Sequence, residues 1–417
     1  MLFGSSGIRQ VFDTPLLTLA PAVGAAVALD AKRVVLATDS RSSRSILADA
    51  LIAGLTAGGA DVRYGNIAPT PAVALAAGSC DAGVMITASH NPEKYNGIKL
   101  FRPDGSSYTL AQQKEIEERI AQPSFASWDA IGSVQNADFN TLLKEKILSS
   151  VEIPEGLAVV VDCANGAGGQ VTPYVIGSAS KVIPINCDPS PKFARPSEPL
   201  EANLLHVPKI MKDTGADCAV VNDGDADRMM CFDNRGRYVD GDHLLMLFAK
   251  YLDAKRVVTT VDASMAIEEV ADVHRTPVGD SFVSEELISW GDFGGEPSGS
   301  WVFPKHSLCP DGPFAAALFT QICAEWDVAE ELDAMPRYTI LRDSVVSDKA
   351  KDAVLGLGAA SATDGIRCAT EDGWYLIRAS GTEPKIRCTA EGKTQASAKQ
   401  MLEEGMSVIK KAIHEVS

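Results

Sequence analysis

One pattern occurs three times in this chain: an apolar run that ends on an aspartate. It reads R-V-V-L-A-T-D at 33–39, L-A-V-V-V-D at 157–162 and R-V-V-T-T-V-D at 256–262. The copies lie about 100 to 120 residues apart, a spacing that suits duplicated domains rather than short solenoid repeats. Runs this short, rich in valine and closed by a polar residue, read as buried strands. After the first copy, Ile46, Leu47, Ala50, Leu51 and Leu55 recur at helical spacing, 61–67 reads as a second strand, and Thr70-Pro71 opens a short helix. Strands alternating with helices predict βαβ units and a largely parallel sheet.

In each copy a later strand runs into a polar loop. The first is the strand at 81–87, followed by Ser89-His90-Asn91-Pro92. The second, at 217–221, leads into Asn222-Asp223-Gly224-Asp225-Ala226-Asp227-Arg228, and the third, at 290–293, leads into Gly294-Gly295-Glu296-Pro297-Ser298-Gly299. Loops beyond the carboxyl ends of parallel strands are where α/β sheets place chemistry. Between the copies, 115–120 reads as an exposed helix, 122–140 as irregular, 142–148 as helical and 188–199 as a proline-rich surface loop. After Met335-Pro336 the composition shifts to a smaller unit, with strands at 338–341 and 373–378 and helices at 349–357 and 394–414. The expected fold is α/β: three similar α/β domains with mainly parallel mixed sheets, plus a smaller C-terminal α+β domain, around a central cleft. The expected bounds are 1–142, 143–240, 241–336 and 337–417.

Charge narrows the partners. The chain of 417 residues carries a net charge of -17, which disfavours binding to a nucleic-acid backbone. No apolar run reaches the ~20 residues that span a bilayer. The nine cysteines form no C-x-x-C and suit buried thiols in a reducing cytoplasm. The expectation is a cytoplasmic protein, monomer or homodimer, that binds neither nucleic acid nor membrane.

The loops themselves carry chemistry. Asp223, Asp225 and Asp227 place three carboxylates at alternate positions; they repel unless a cation offsets them, and oxygen-only ligands point to Mg²⁺. An EF-hand would need glycine and glutamate where Arg228 and Asn234 stand. Arg378 and Arg387 flank Ser380, Gly381 and Thr382, a mixture of guanidinium forks, hydroxyls and backbone N–H groups that suits a phosphate dianion. The Gly/Ser turn before Arg9 suits phosphate for the same reason. Glu296 and Ser298 offer a carboxylate and a hydroxyl to sugar hydroxyls. Ser89 reads as a turn residue, as a hydrolase nucleophile without a G-x-S-x-G elbow, or as a carrier of a phosphoryl group; the metal and phosphate loops favour the last.

Taken together, T-A-S-H-N-P (87–92), D-G-D-A-D-R (223–228), G-E-P-S-G (295–299) and R-A-S-G-T-E-P (378–384) resemble the α-D-phosphohexomutase family, in its order and over essentially the whole chain. The resemblance implies that Ser89 is the phosphoserine and also a metal ligand, and that Asp223, Asp225 and Asp227 bind one Mg²⁺. Glu296 and Ser298 resemble the sugar-contacting pair, and Arg378, Ser380, Gly381, Thr382 and Arg387 the phosphate clamp. Arg9, His90, Lys99 and Arg228 match positions around the transferring group. Lys99 is then the candidate for proton transfer, a task that needs a lowered pKa. The implied reaction moves a phosphoryl group between C6 and C1 of a phosphohexose through a hexose 1,6-bisphosphate, which also serves as activator. Val278-Gly279-Asp280 and the S-G-T-E-P-x-I-R form of the last loop resemble phosphoglucosamine mutases, which implies glucosamine 6-phosphate as substrate; phosphomannomutase/phosphoglucomutase is the alternative. Ser300 stands where bacterial members carry histidine, and His306 is a second candidate to reach the sugar. A sugar-phosphate sensor and a phosphatase are the readings from other classes.

Overall fold

In the computed structural model, which describes residues 2–4, 7–380 and 383–416, the threefold pattern of the sequence becomes three sheets built on one plan. Each begins with a repeat strand: Arg33–Thr38, Ala158–Asp162 and Arg256–Thr260. A parallel neighbour flanks it on each side, Asp61–Ile67 and Ala82–Ile86 in the first sheet, Lys181–Ile185 and Cys218–Asn222 in the second, Asp272–Thr276 and Phe293–Glu296 in the third. An antiparallel strand then closes the unit: Tyr95–Phe101, Met229–Phe232 and Ser300–Val302. The chemistry-bearing loops of these three units therefore fall at the same place, the turn from the last parallel strand into the antiparallel one.

The first sheet is extended to seven strands by Phe3–Gly4 and Gly7–Val11 at one edge and Val134–Asn136 at the other. The last unit differs. Its four strands, Thr339–Val346, Lys385–Gly392, Gly373–Ala379 and Ile366–Ala369, are all antiparallel and pack against helices Ala350–Gly356 and Gln395–Glu415. Thr394 caps the final helix through a capping box with Ser397.

Two expectations from the sequence are corrected. The strand placed at 290–293 is Phe293–Glu296, so Gly294 and Gly295 are strand residues and not part of a loop. Their glycines serve packing: a Cβ on Gly294 would fall 2.6 Å from the Val258 carbonyl oxygen, and one on Gly295 2.6 Å from the Trp301 ring. The stretch 122–140 is not irregular throughout. It holds the edge strand Val134–Asn136 and the start of helix Phe139–Leu148, which Asp138 caps by accepting from the Thr141 N–H. Among the described residues no helix is long and apolar enough to cross a membrane.

Candidate active site

Ser89 lies just past strand Ala82–Ile86, is 1% exposed, and has a backbone φ of 49°. A non-glycine residue in that region is strained and needs its surroundings to hold it. The holding group is Arg41, whose guanidinium is fully buried. It donates to the carbonyls of Ser89 (2.8 Å), Asn91 (2.7 Å), Pro92 (2.7 Å) and Tyr95 (2.9 Å), and its Nε to Asp39 Oδ2 (2.9 Å). Asp39 Oδ2 also accepts from the Thr87 hydroxyl, which in turn accepts the Ser89 N–H at 2.8 Å. The second unit repeats the device. Arg195 Nε donates to Asp162 Oδ2 at 3.0 Å and one of its terminal nitrogens to the Asn222 carbonyl at 2.7 Å, at the root of the aspartate loop. Neither arginine stands out in the sequence; the only signal was the aspartate that closes each repeat strand.

These clamps bring the two loops into contact. The Ser89 hydroxyl donates to Asp223 Oδ2 at 2.8 Å, and lies 3.5 Å from Asp227 Oδ1 and 3.4 Å from His90 Nδ1. Gly224 permits this approach, since a Cβ there would sit 2.8 Å from the Ser89 carbonyl oxygen. Thr70 straps the units together by donating through its N–H to the Asp225 carbonyl (2.9 Å) and through its hydroxyl to Asp225 Oδ2 (2.6 Å).

Asp223, Asp225 and Asp227 are all buried, with one oxygen of each within 4.8 Å of the others. Burial, then the charges of Asp227 and Asp225, pushes the Asp223 carboxyl well up; burial and Asp225 push Asp227 up. Asp225 is pulled down, because the Lys99 ammonium and the Thr70 hydroxyl outweigh its burial. Lys99 Nζ lies 2.8 Å from Asp225 Oδ2 and 2.5 Å from Asp227 Oδ2. Burial lowers its pKa, but those two carboxylates more than offset that and hold the ammonium protonated. The lowered pKa expected of Lys99 is thus not met in this arrangement. Asp225 Oδ1 is buried without a hydrogen-bond partner. An orphan carboxylate oxygen in an oxygen-only, like-charged cluster fits a hard divalent cation.

A cavity of about 350 Å³ opens beside the serine. It is lined by Arg9, Ser89, His90, Asp227 and Arg228 of the first two units, by Glu296, Ser298 and Ser300 of the third, and by Ile340, Arg342 and Thr389 of the last. His90 is kept neutral: burial, then Arg228 and Arg9, lowers its pKa to about 2. Glu296 Oε1 accepts the Gly279 N–H at 2.9 Å, and burial, then Asp280, pushes its carboxyl up to about 7. His306 does not reach the cavity; it pairs with Asp311 at 3.0 Å and stacks on Phe314. Arg378, Ser380 and Arg387 line an adjoining cavity of about 750 Å³ with Phe3, Leu110, Val278 and Phe282. Arg378 and Arg387 are direct cross-strand partners, a placement in which like charges repel, and carboxylates lie beside both: Glu383 3.2 Å from Arg387 and Asp262 3.9 Å from Arg378. Gly381 and Thr382 lie outside the described residues.

Four consecutive stretches match the family descriptions "Phosphoglucomutase/phosphomannomutase, alpha/beta/alpha domain I" (1–127), "domain II" (137–236), "domain III" (240–338) and "C-terminal domain" (343–407). A Methanocella arvoryzae protein named "Probable phosphoglucosamine mutase" is 40% identical over 433 residues, covering 99% of this chain and 98% of its own. The chain belongs to the phosphoglucomutase/phosphomannomutase family. It is therefore a phosphohexomutase, an isomerase of sugar phosphates. The phosphoglucosamine mutase of Methanococcus vannielii is also 40% identical, with 99% of each chain covered. Among solved structures, a phosphoglucomutase/phosphomannomutase family protein from Burkholderia thailandensis shares the fold with a TM-score of 0.85 at 24% identity, covering 99% of this chain and 97% of that one. An Aspergillus fumigatus N-acetylphosphoglucosamine mutase, solved with GlcNAc-6P and magnesium, aligns with a TM-score of 0.58 at 16% identity, covering 99% and 96%. All four units of the phosphohexomutase fold are thus present in one chain.

Proposed function

We propose that this phosphohexomutase interconverts glucosamine 6-phosphate and glucosamine 1-phosphate through a phosphorylated Ser89 and a hexose 1,6-bisphosphate. The observation that carries the reading is the 2.8 Å contact between the Ser89 hydroxyl and Asp223, with Ser89 lining the same cavity as Glu296 and Ser298. The 40% identical relatives named phosphoglucosamine mutase support the choice of sugar. The first unit supplies the serine, the second the metal ligands, the third the sugar contacts and the last the phosphate clamp.

Asp223, Asp225 and Asp227, with Ser89, would hold one Mg²⁺. When bound, such an ion offsets the three carboxylates, loosens their hold on Lys99 and polarises phosphoryl oxygens. In the first transfer the Ser89 oxygen–phosphorus bond breaks and a bond from the sugar hydroxyl to phosphorus forms. The hydroxyl proton ends on the Ser89 oxygen; in this reading the Lys99 ammonium, held by Asp225 and Asp227, relays it by giving one proton to the serine oxygen as it takes one from the sugar hydroxyl. Arg9 and Arg228 face the charge that builds on the phosphoryl oxygens. Arg378 and Arg387 hold the phosphate that does not react, with Ser380, Gly381 and Thr382 completing the clamp. Glu296 accepts sugar hydroxyls in both orientations, so the bisphosphate can turn over and return its other phosphoryl group to Ser89. Neutral His90 shields the serine without adding charge. A bisphosphate is the activator that loads the enzyme.

A coupled assay on glucosamine, glucose and mannose 1-phosphates, with Mg²⁺ and a bisphosphate activator, tests the reading. Turnover of glucosamine 1-phosphate above the others supports it. Turnover of none rejects mutase action, and release of inorganic phosphate favours a phosphatase.

A further inference from the structure

The repeat aspartates do not all do the same work. In the first two units the carboxylate is fully buried and holds a guanidinium, Asp39 with Arg41 at 2.9 Å and Asp162 with Arg195 at 3.0 Å. In the third unit Asp262 is released from that role. The nearby Arg275 donates instead to the carbonyls of Thr260, Ala263 and Ser264, and the Asp262 side chain, 31% exposed, faces the sugar cavity. Its Oδ1 accepts from the Thr260 hydroxyl, while Oδ2 lies 3.9 Å from Arg378 of the phosphate clamp. Asp262 thus stands at the clamp end of the cavity.

Asp280 lies toward the serine. It opens helix Asp280–Leu287, lines the cavity together with Ser89, His90 and Asp227, and lies within electrostatic reach of Lys99 and Asp227. Glu296 lines the same cavity and feels both charges. The phosphoryl chemistry uses neither carboxylate. Toward a sugar that brings only a phosphate dianion, both are repulsive; toward one that also carries a positive charge, both are attractive.

We propose that Asp280 and Asp262 are specificity-determining residues that bind the protonated 2-amino group of the amino sugar, one in each of the two orientations the substrate adopts. The proposal rests on the glucosamine reading above and deepens it. An amine of this kind is largely protonated near neutral pH, like an α-amino group. In glucosamine 6-phosphate the phosphate occupies the clamp and the C1 hydroxyl faces Ser89. The amino group, one carbon from C1, then lies at the Asp280 end. In glucosamine 1-phosphate the sugar is reversed: the phosphate on C1 occupies the clamp and the amino group lies beside it, at the Asp262 end. One carboxylate could serve only one of these poses, and of the acidic residues that line the cavity Asp262 is the one beside the clamp arginine, whereas Asp280 is the one within reach of Lys99.

Equilibrium binding separates the two roles. Glucosamine 6-phosphate, glucosamine 1-phosphate and the two matching glucose phosphates are titrated calorimetrically, with Mg²⁺, into the Ser89→Ala protein, which cannot turn them over. The same titrations are made with Asp280→Asn or Asp262→Asn added. The expected result is that Asp280→Asn lowers the preference for glucosamine 6-phosphate over glucose 6-phosphate by roughly tenfold or more, the size of a lost charge-assisted hydrogen bond. Asp262→Asn does the same for the 1-phosphates, and each variant changes the other pair's preference less. Asp280→Glu and Asp262→Glu, which keep the charge, retain most of the preference, and thermal melts of all variants establish folding. Equal losses for amino and hydroxy sugars, no loss, or loss of the same pair in both variants would overturn the proposal. Turnover of glucose or mannose phosphates, and of neither amino sugar phosphate, by the unaltered enzyme would instead overturn the glucosamine reading itself.

Discussion

Ser89 and Asp223 stand 134 residues apart in the chain, yet the serine hydroxyl donates directly to the aspartate across 2.8 Å. Two loops from two copies of one α/β unit meet there, each aimed by a buried arginine anchored on its repeat aspartate.

The aim of the serine loop depends on Arg41. All of its guanidinium nitrogens are engaged, four of the bonds running to carbonyls of residues 89–95. Lysine keeps the charge but cannot span those acceptors. Arg41→Lys is expected to lower kcat about 10²-fold, because a misplacement of about 1 Å costs that much, while KM changes little. Steady-state kinetics check this split; a rise in KM with kcat intact would mean that Arg41 serves substrate binding instead.

The aspartate cluster stores repulsion that a cation relieves. Burial and the charges of Asp227 and Asp225 push Asp223 well above the usual carboxylate range. Asp223→Asn removes one of three buried like charges, so without metal the variant is expected to be more stable than the parent by about 1 to 3 kcal/mol at neutral pH. Mg²⁺ at about 100 times its Kd stabilises the parent by roughly 2.7 kcal/mol and the variant by much less. Thermal melts with and without Mg²⁺ measure both, and equal metal shifts in the two proteins would remove Asp223 from the ligand set.

Glu296 gives a pH signature. Its folded pKa is pushed up to about 7 from 4.5, by burial first and then by Asp280. A raised folded pKa means that the native state holds the proton more tightly. That stabilisation is complete below pH 4.5 and lost as pH rises through 7. Relative to Glu296→Gln, the parent should therefore lose up to about 3 kcal/mol between pH 4.5 and pH 8. Urea unfolding of both proteins across that range measures the difference; a constant offset would show that Glu296 does not titrate there.

Much of this was legible in the sequence because periodicity and loop chemistry report on it directly. The valine-rich runs closed by aspartate announced the three-sheet plan, and the alternate aspartates announced a cluster of carboxylates at one loop. What escaped was long-range. Arg41 and Arg195 act on carbonyls far from them in sequence, and backbone acceptors leave no mark on residue type. Gly294 and Gly295 looked like a loop because glycine usually breaks strands, whereas here it makes room for Trp301 and the Val258 carbonyl. Lys99 matched its motif, but only the folded structure shows Asp225 and Asp227 closing on its ammonium. His306 lay six residues beyond Ser300, and its pairing with Asp311 could be seen only once helix Gly312–Glu325 was in place.

The central claim is that Ser89 carries the phosphoryl group. The direct measurement is a single-turnover chase followed by mass spectrometry. The protein is loaded with a hexose 1,6-bisphosphate and Mg²⁺, freed of excess, and mixed with glucosamine 6-phosphate. The account predicts a protein heavier by one phosphoryl group, located on the Ser89 peptide and absent from Ser89→Ala, which the chase converts into glucosamine 1,6-bisphosphate. A phosphoryl group on any other residue, or its release only as inorganic phosphate, would contradict it.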